Sequence, residues 1–179
     1  MLLATDVAYA VEHEKASSPW AARAAGILFA EWTSDQPADT MVEVFDRVSP
    51  YVPGQFFRRE LPCIWPLVER AFRRGPLTTV IIDGFVDLAP GRPGLGRHLF
   101  ERLNAADAAV AVVGVAKNPF RGAKSTPVHR GDSKVPLWVT SAGISQEAAS
   151  AAVASMHGPY RFPTLLRQVD QLTRTDPAL

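Results

Sequence analysis

The sequence has almost no cysteine and no long apolar segment. Cys63 is its single cysteine among 179 residues, which excludes an internal disulfide and a zinc site built from several cysteines. The longest apolar run spans residues 108–116, far short of the about 20 residues that a membrane helix needs. The first ten residues have no basic leader and include Asp6, so no signal peptide is predicted. These features predict a cytoplasmic protein with a reduced thiol.

An excess of charge of either sign is also missing. Lys and Arg number 19 against 18 Asp and Glu, for a formal net charge of +1. Such a chain has no global attraction to nucleic acid or to an anionic membrane, so any basic face must be local. Hydrophobic residues make up 47% of the chain, which is enough for a full core and excludes disorder. The length suits one domain over 1–179.

Three strands are predicted at the start of the chain from their apolar or alternating residues: 1–9, 21–32 and 41–48. A polar loop over 10–20 and a Pro-containing turn over 34–39 would join them as an antiparallel meander. A helix is predicted over 56–74, where Pro62 and Pro66 would kink or break it.

Strands and helices are predicted to alternate beyond that helix. The strands are expected over 78–83, 108–116 and 135–140, and the helices over 94–106, 145–156 and 162–173. The segment 118–134 has no periodicity. This order predicts an α/β fold with a mixed sheet flanked by helices, the first three strands being antiparallel.

Four carboxylates occupy positions that suggest chemistry. Asp6 and Asp83 interrupt or end apolar strands, and Glu60 and Asp170 lie on predicted helices. A buried carboxylate is costly without a cation or a donor, and a cluster of them suits Mg²⁺ or Mn²⁺. Two such ions about 4 Å apart would activate water and hydrolyse a phosphodiester. The alternative, favoured by composition alone, is that each acid is an ordinary turn or capping residue.

Five segments resemble one family. Residues 51–60 (YVPGQFFRRE) are similar to the endonuclease V pattern P-Y-I-P-G-x-x-x-F-R-E, including the spacing from tyrosine to glutamate. Four more segments resemble that family in the same order: 5–9 (TDVAY), 81–84 (IIDG), 114–117 (GVAK) and 160–170 (YRFPTLLRQVD). The matches extend over nearly the whole chain.

The resemblance implies a ribonuclease H-like fold and a metal-dependent endonuclease of DNA repair. Asp6, Glu60 and Asp83 would bind Mg²⁺, which Mn²⁺ could replace, and Asp170 would lie near a second ion. Lys117 matches the active-site lysine and would orient water or offset phosphate charge. The implied reaction is hydrolysis of the second phosphodiester 3′ to a deaminated purine, most simply deoxyinosine in DNA. We expect a monomer that binds nucleic acid and no membrane.

The resemblance also implies how a base would be recognised. A wedge would fill the gap left by an extruded base, and a pocket would receive that base; the wedge is Tyr51, Val52, Pro53 and Gly54, and the pocket includes Gly84, Gly94 and Leu95. The competing interpretation of the wedge is a plain Pro-Gly turn before a helix. A local basic face for phosphates would comprise Arg58, Arg59, Arg92, Arg97 and the basic residues between 121 and 134.

Three family histidines are missing. The family's D-G-H-G-x-A-H-P segment has Phe85 and Ala89 in place of its histidines, and its S-x-G-H segment becomes Ser141-Ala142-Gly143-Ile144. These departures leave open the same nuclease chemistry on RNA or structured nucleic acid, or a binding protein without turnover. His98 matches a family position but is expected to be structural, and Cys63 is expected to be a small buried side chain.

Overall fold

The computed structural model describes residues 1–10, 21–50, 52, 54–106 and 108–174. Its strands are β1 (Leu2–Tyr9), β2 (Ala22–Phe29), β3 (Asp39–Phe45), β4 (Thr79–Asp83), β5 (Asp87–Ala89), β6 (Arg92–Pro93), β7 (Ala111–Ala116), β8 (Thr126–Val128) and β9 (Leu137–Ala142). Its helices are α1 (Phe57–Arg74), α2 (Leu95–Ala105), α3 (Gln146–Ser155) and α4 (Thr164–Arg174).

Seven strands form one mixed sheet in the order β3-β2-β1-β4-β7-β9-β8. The first three pair antiparallel, as predicted, while β1, β4 and β7 run parallel at the centre. The carboxyl ends of these parallel strands therefore meet at one edge of the sheet, which is where ligands bind in such folds. Strands β5 and β6 make a separate small hairpin beyond β4.

Each face of the sheet has its own core. Helices α1 and α2 cover one face with residues such as Leu67 and Leu99, and α3 and α4 cover the other with residues such as Val153 and Leu166. The central strands β4 and β7 have small or β-branched residues on both faces and are almost completely buried. Burial on both faces explains why these strands are continuous apolar runs. The first polar side chains along each strand are therefore found where the strand ends.

The predicted fold class is confirmed, and the predicted strands and helices occur close to their expected bounds. The predicted break in α1 is wrong, because the helix includes Pro62 and Pro66 without interruption. Its buried face, with Ile64, Leu67 and Val68, packs against the sheet and offsets the two backbone donors that proline lacks. The β5–β6 hairpin and strand β8 were not predicted. The loop expected over 10–20 lies outside the described residues for all but its first position.

Candidate active site

Two carboxylates lie side by side at the carboxyl edge of the sheet. Strands β1 and β4 pair in parallel up to Thr5 and Ile82, and the next residues are Asp6 and Asp83. Burial chiefly raises the pKa of the Asp83 carboxyl to about 6, and repulsion by Asp6 adds to this. Burial also raises the pKa of Asp6, opposed by a hydrogen bond from the Val7 N–H. The sheet thus holds two acids in positions that favour their neutral forms.

Glu60 lies near the same edge of the sheet, on helix α1, which covers one of its faces. It lies in the first turn of α1 and is only 7% exposed. Burial, followed by repulsion from Asp83 and Asp6, raises the pKa of its carboxyl well above the ordinary value. No hydrogen bond or ion pair to the Glu60 carboxylate occurs among the described residues. A buried acid is costly without a cation or a donor, which makes Glu60 a candidate metal ligand.

The three acids fit a divalent cation by charge and by donor type. They are oxygen ligands, which Mg²⁺ and Mn²⁺ prefer, and a cation between them would offset the effect of burial, the main cause of their raised pKa values, as well as the repulsion that adds to it. Within the described part of the chain, however, no three His, Cys, Asp or Glu side chains form a closed metal-binding group. Burial and repulsion by Asp6 raise the pKa values of Glu60 and Asp83, but the three side chains do not form a complete set of metal ligands.

Lys117 and Asp170 form an ion pair next to these acids. Lys117 follows the last residue of β7, and its Nζ lies 3.3 Å from Asp170 Oδ1 on α4. Arg174 Nη2 lies 3.0 Å from the same oxygen, one turn along the helix. The Lys117 ammonium also lies 4.9 Å from the centre of the Phe162 ring. These contacts fix the ammonium in a small cleft that Asp6 and Asp83 also line.

Arg161 positions the backbone of this lysine. Its guanidinium donates hydrogen bonds to the carbonyl oxygens of Lys117 and Pro136, the latter at 2.8 Å. Arg161 belongs to the segment 160–170 that resembles the family, but the sequence gives no indication that it contacts Lys117. The contact joins the end of β7 to the loop before α4.

A cavity of about 270 Å³ adjoins the acids on the α1 side. Glu60 and Asp83 form its acidic end. The remaining lining is apolar or backbone apart from one arginine: Gly54, Phe56, Phe57, Gly84, Phe85, Leu88, Arg92, Pro93, Gly94, Leu95 and Phe120. The structure thus brings together all the predicted pocket residues beside two of the predicted metal ligands.

Gly94 occupies a position that no larger residue fits. A Cβ atom there would lie 2.6 Å from the Phe85 carbonyl oxygen and 2.9 Å from that of Val86. The Gly94 N–H instead donates to the Val86 carbonyl at 2.8 Å, and Gly94 precedes the first residue of α2. This close approach places the start of α2 against the cavity, with Leu95 in its wall.

The turn after Asp83 is held by two residues that sequence reasoning missed. The Thr140 hydroxyl accepts a hydrogen bond from the Val86 N–H at 2.9 Å. A Cβ atom on Gly114 would lie 2.5 Å from the Gly84 carbonyl oxygen, so glycine is required there as well. Gly114 belongs to the 114–117 segment that resembles the family, and this resemblance is the one indication in the sequence that the position matters. Nothing in the sequence distinguished Thr140 from other strand threonines.

The remaining predicted site residues are exposed, lie away from the cavity or fall outside the described residues. Val52 is 43% exposed, whereas Tyr51 and Pro53 lie outside the described residues. Arg59 does not line the cavity; its guanidinium lies 3.8 Å from the centre of the Tyr9 ring. His98 stacks on Phe57 at 3.6 Å between ring centres, which agrees with the expected structural role.

Cys63 is buried, as expected. It is 1% exposed, and its thiol lies 3.4 Å from the carbonyl oxygen of Arg59. Burial chiefly raises the pKa of this thiol to about 11. The thiolate is the reactive form of cysteine, so the raised pKa makes Cys63 a poor nucleophile.

The predicted basic face needs one correction. Arg130, expected among the phosphate-binding residues, is only 6% exposed. Its guanidinium donates to carbonyl oxygens in the segment between α3 and α4, including those of Tyr160 at 3.1 Å and Gly158 at 3.2 Å. Arg130 is therefore a structural residue. Arg97 is paired with Asp87 at 2.6 Å, whereas Arg92 lines the cavity.

The comparisons with known proteins agree with this architecture. Endonuclease V from Ciona intestinalis, solved with a 23mer DNA containing an inosine followed by a ribo-adenosine, matches with a TM-score of 0.76 at 14% identity. The match covers 97% of this chain and 83% of that one. Human endonuclease V matches at 0.72 and 21% identity, covering 97% and 82%, and the Bacillus subtilis protein at 0.71 and 20%, covering 97% and 78%. Curated proteins give no match.

The sheet order and the acidic strand edge define an α/β protein with the ribonuclease H-like fold, shared with these solved structures. A family model described as endonuclease V matches residues 1–154. The chain therefore belongs to the endonuclease V family, which is a family of nucleases. None of the helices in the described ranges is long and apolar enough to cross a membrane.

Proposed function

We propose that this chain is a Mg²⁺-dependent endonuclease that hydrolyses a phosphodiester 3′ to a deaminated purine, deoxyinosine, in DNA. The single observation that supports this most strongly is the convergence of Asp6, Glu60 and Asp83 at one sheet edge, each with a raised carboxyl pKa. Family membership supports the nuclease class. Inosine-containing DNA is the ligand of the Ciona structure, and we extend it to this chain.

The acids would hold the cation, for which Mn²⁺ should be an effective substitute. A bound divalent cation supplies charge stabilisation at the phosphate and increases the acidity of water. Glu60 has a second effect, because its burial restricts the carboxylate to one orientation at the acidic end of the cavity. Asp83 lines both the cavity and the cleft that contains Lys117, so it would join the two halves of the site.

Lys117 and Asp170 would act on the phosphate from the other side. The ion pair holds the lysine ammonium in the cleft with Asp6 and Asp83, where it can offset negative charge on a phosphate oxygen or orient the attacking water. Hydrolysis would break the bond from phosphorus to the 3′ oxygen and leave a 3′-hydroxyl and a 5′-phosphate. Asp170 would keep the ammonium in place until substrate arrives.

The cavity would receive the extruded base. Its volume of about 270 Å³ and its apolar walls suit a flat heterocycle. The chain segment at Val52 and Gly54 would support the gap in the duplex, together with Tyr51 and Pro53. In the first turn of α2, the N–H groups of Gly96, Arg97 and His98 already donate to backbone carbonyl oxygens, so the Leu95 N–H is the donor that could contact the base.

The test is a cleavage assay on a labelled strand with one deoxyinosine, in Mg²⁺ and in EDTA. Wild-type protein should cut the second phosphodiester 3′ to the inosine in Mg²⁺ only, and Asp83→Ala should abolish cutting while leaving thermal unfolding cooperative. Asp35→Ala, an exposed acid in the turn before β3, is the matched control and should cut normally. Metal-dependent cutting by Asp83→Ala would overturn the proposal.

The missing histidines motivate a second arm of the assay. Phe85 lies in the cavity wall, whereas Ala89 is the last residue of β5 and does not line the cavity. Inosine-containing RNA and undamaged flap DNA should be cut more slowly than inosine-containing DNA. Faster cutting of RNA would mean that the nuclease chemistry is correct and that RNA is the preferred substrate. Binding of inosine DNA without cutting in Mn²⁺ would indicate a binding protein without turnover.

A further inference from the structure

Two aromatic rings form one wall of the cavity. The rings of Phe85 and Phe120 lie 6.0 Å apart between centres at an angle of 54°, and Phe120 is 36% exposed. Phe85 stands where the family has a histidine, and Phe120 comes from the aperiodic segment after β7. Both residues lie outside the five segments that resemble the family.

Arg92 lies against the outer ring. Its guanidinium is 5.7 Å from the centre of Phe120, within the range of a cation–π contact. On its other side, Nη2 lies 3.7 Å from the point where a Cβ atom on Gly54 would be. Arg92 therefore spans the mouth of the cavity between the wedge segment and the aromatic wall. This contact adds to the Phe85 contact in restraining Phe120.

The lining offers few polar side chains for recognising a base. Among the described lining residues, only Glu60, Asp83 and Arg92 have polar side chains, and the two acids occupy the catalytic end. An extruded base loses its stacking partners in the duplex, and an aromatic face can replace them. With Phe85 in place of the family's histidine, this wall has one polar side chain fewer and an apolar aromatic face on which a base can stack.

We propose that Phe120, restrained by Arg92 and backed by Phe85, is a base-binding residue that stacks on the extruded base. This inference rests on the proposed function, because it assumes that the cavity receives a base during cleavage. Stacking on this wall stabilises the extruded base. Phe120 therefore affects the protein concentration that cleavage requires, more than it affects the rate of the chemical step at the acids.

The test is single-turnover cleavage of a deoxyinosine strand over a range of protein concentrations. Phe120→Ala should raise the protein concentration for half-maximal cleavage by roughly 10-fold, which corresponds to the loss of one stacked base. Phe120→Leu retains apolar volume without a π face and should be nearly as impaired, while Phe120→Trp should match wild type. Phe72→Ala, on the exposed side of α1 at 38% exposure, is the control and should be unchanged.

The outcomes separate the two proposals. If wild type cleaves but Phe120→Leu or Phe120→Ala cleaves equally well at every concentration, the stacking role is wrong and the nuclease assignment stands. If Phe120→Ala lowers the maximal rate at saturating protein with no change in the half-maximal concentration, stacking is also wrong. If wild type cleaves no deoxyinosine strand, the proposed function fails and this inference fails with it.

Discussion

Lys117 Nζ and Asp170 Oδ1 lie 3.3 Å apart and join the end of the central strand β7 to helix α4. Asp170 simultaneously accepts from Arg174, so one carboxylate has two cationic partners. The arrangement keeps Lys117 in the cleft shared with Asp6 and Asp83. Under the proposed function, this pair fixes the position of the only lysine that lines that cleft among the described residues.

Lys117→Met should slow cleavage of a deoxyinosine strand by about 10²-fold, the usual cost of removing one donor to developing charge. The reason is loss of the ammonium beside the acids, since methionine retains similar bulk and apolar contact with Phe162. Single-turnover rates at saturating protein measure this effect. Arg73→Met, which removes an exposed cation in the last turn of α1, should retain the wild-type rate. Equal rates for the two variants would remove Lys117 from the mechanism.

Gly94→Ala should impair binding of inosine DNA and lower stability together. The added Cβ atom would lie 2.6 Å from the backbone oxygen of Phe85, so either the turn after Asp83 or the start of α2 must shift. We expect a loss of about 1–3 kcal/mol in the free energy of unfolding. Thermal melts and equilibrium binding check this, with Asn104→Ala near the exposed end of α2 as the control. A variant that binds inosine DNA as tightly as wild type would show that the cavity is not the base site.

The metal-free protein should become less stable as pH rises through the titration of the site acids. The folded-state pKa of Asp83 is about 6, above its ordinary value of 3.8. The folded state therefore binds a proton that the unfolded state has lost between these values. Its stabilising effect is present below about pH 4 and is lost as pH rises through about 6. The raised pKa values of Glu60 and Asp6 act in the same direction.

Asp83→Asn isolates this effect, since other acids also titrate in the same range. In EDTA, the melting temperature of Asp83→Asn minus that of wild type should increase between about pH 5 and pH 7.5. Added Mg²⁺ should stabilise wild type at the upper pH and much less at the lower one, because protons compete with the cation. A difference that is constant with pH would mean that Asp83 is not held with a raised pKa.

The sequence predicted the sheet and its acidic edge because both depend on local patterns. Strands that are apolar on both sides must end at the first polar residue, and Asp83 ends β4 in this way. Parallel neighbours end at the same edge, so Asp6 and Asp83 could be expected together. The family resemblance added Glu60, whose position depends on α1 crossing the other face of the sheet.

Other features depend on contacts between distant segments and had no local signal. Arg130 looked like a surface cation, but the carbonyl groups between α3 and α4 surround it. Phe120 lies in a segment without periodicity, and its contacts with Phe85 and with Arg92 join segments that are distant in the sequence. Phe72 is a large apolar residue of α1 and is nevertheless exposed, because the buried face of the helix uses Cys63 and Ala71 instead.

The most direct test of the proposed metal site is a crystal of the wild-type protein soaked in Mn²⁺ and measured at the manganese absorption edge. We expect an anomalous peak at the carboxyl edge of the sheet, within about 2.0–2.6 Å of oxygens from Asp6, Glu60 and Asp83. The same soak of Asp83→Ala crystals should lose or weaken that peak. A peak elsewhere, or none in wild-type crystals at millimolar Mn²⁺, would contradict the assignment of these acids as the metal ligands.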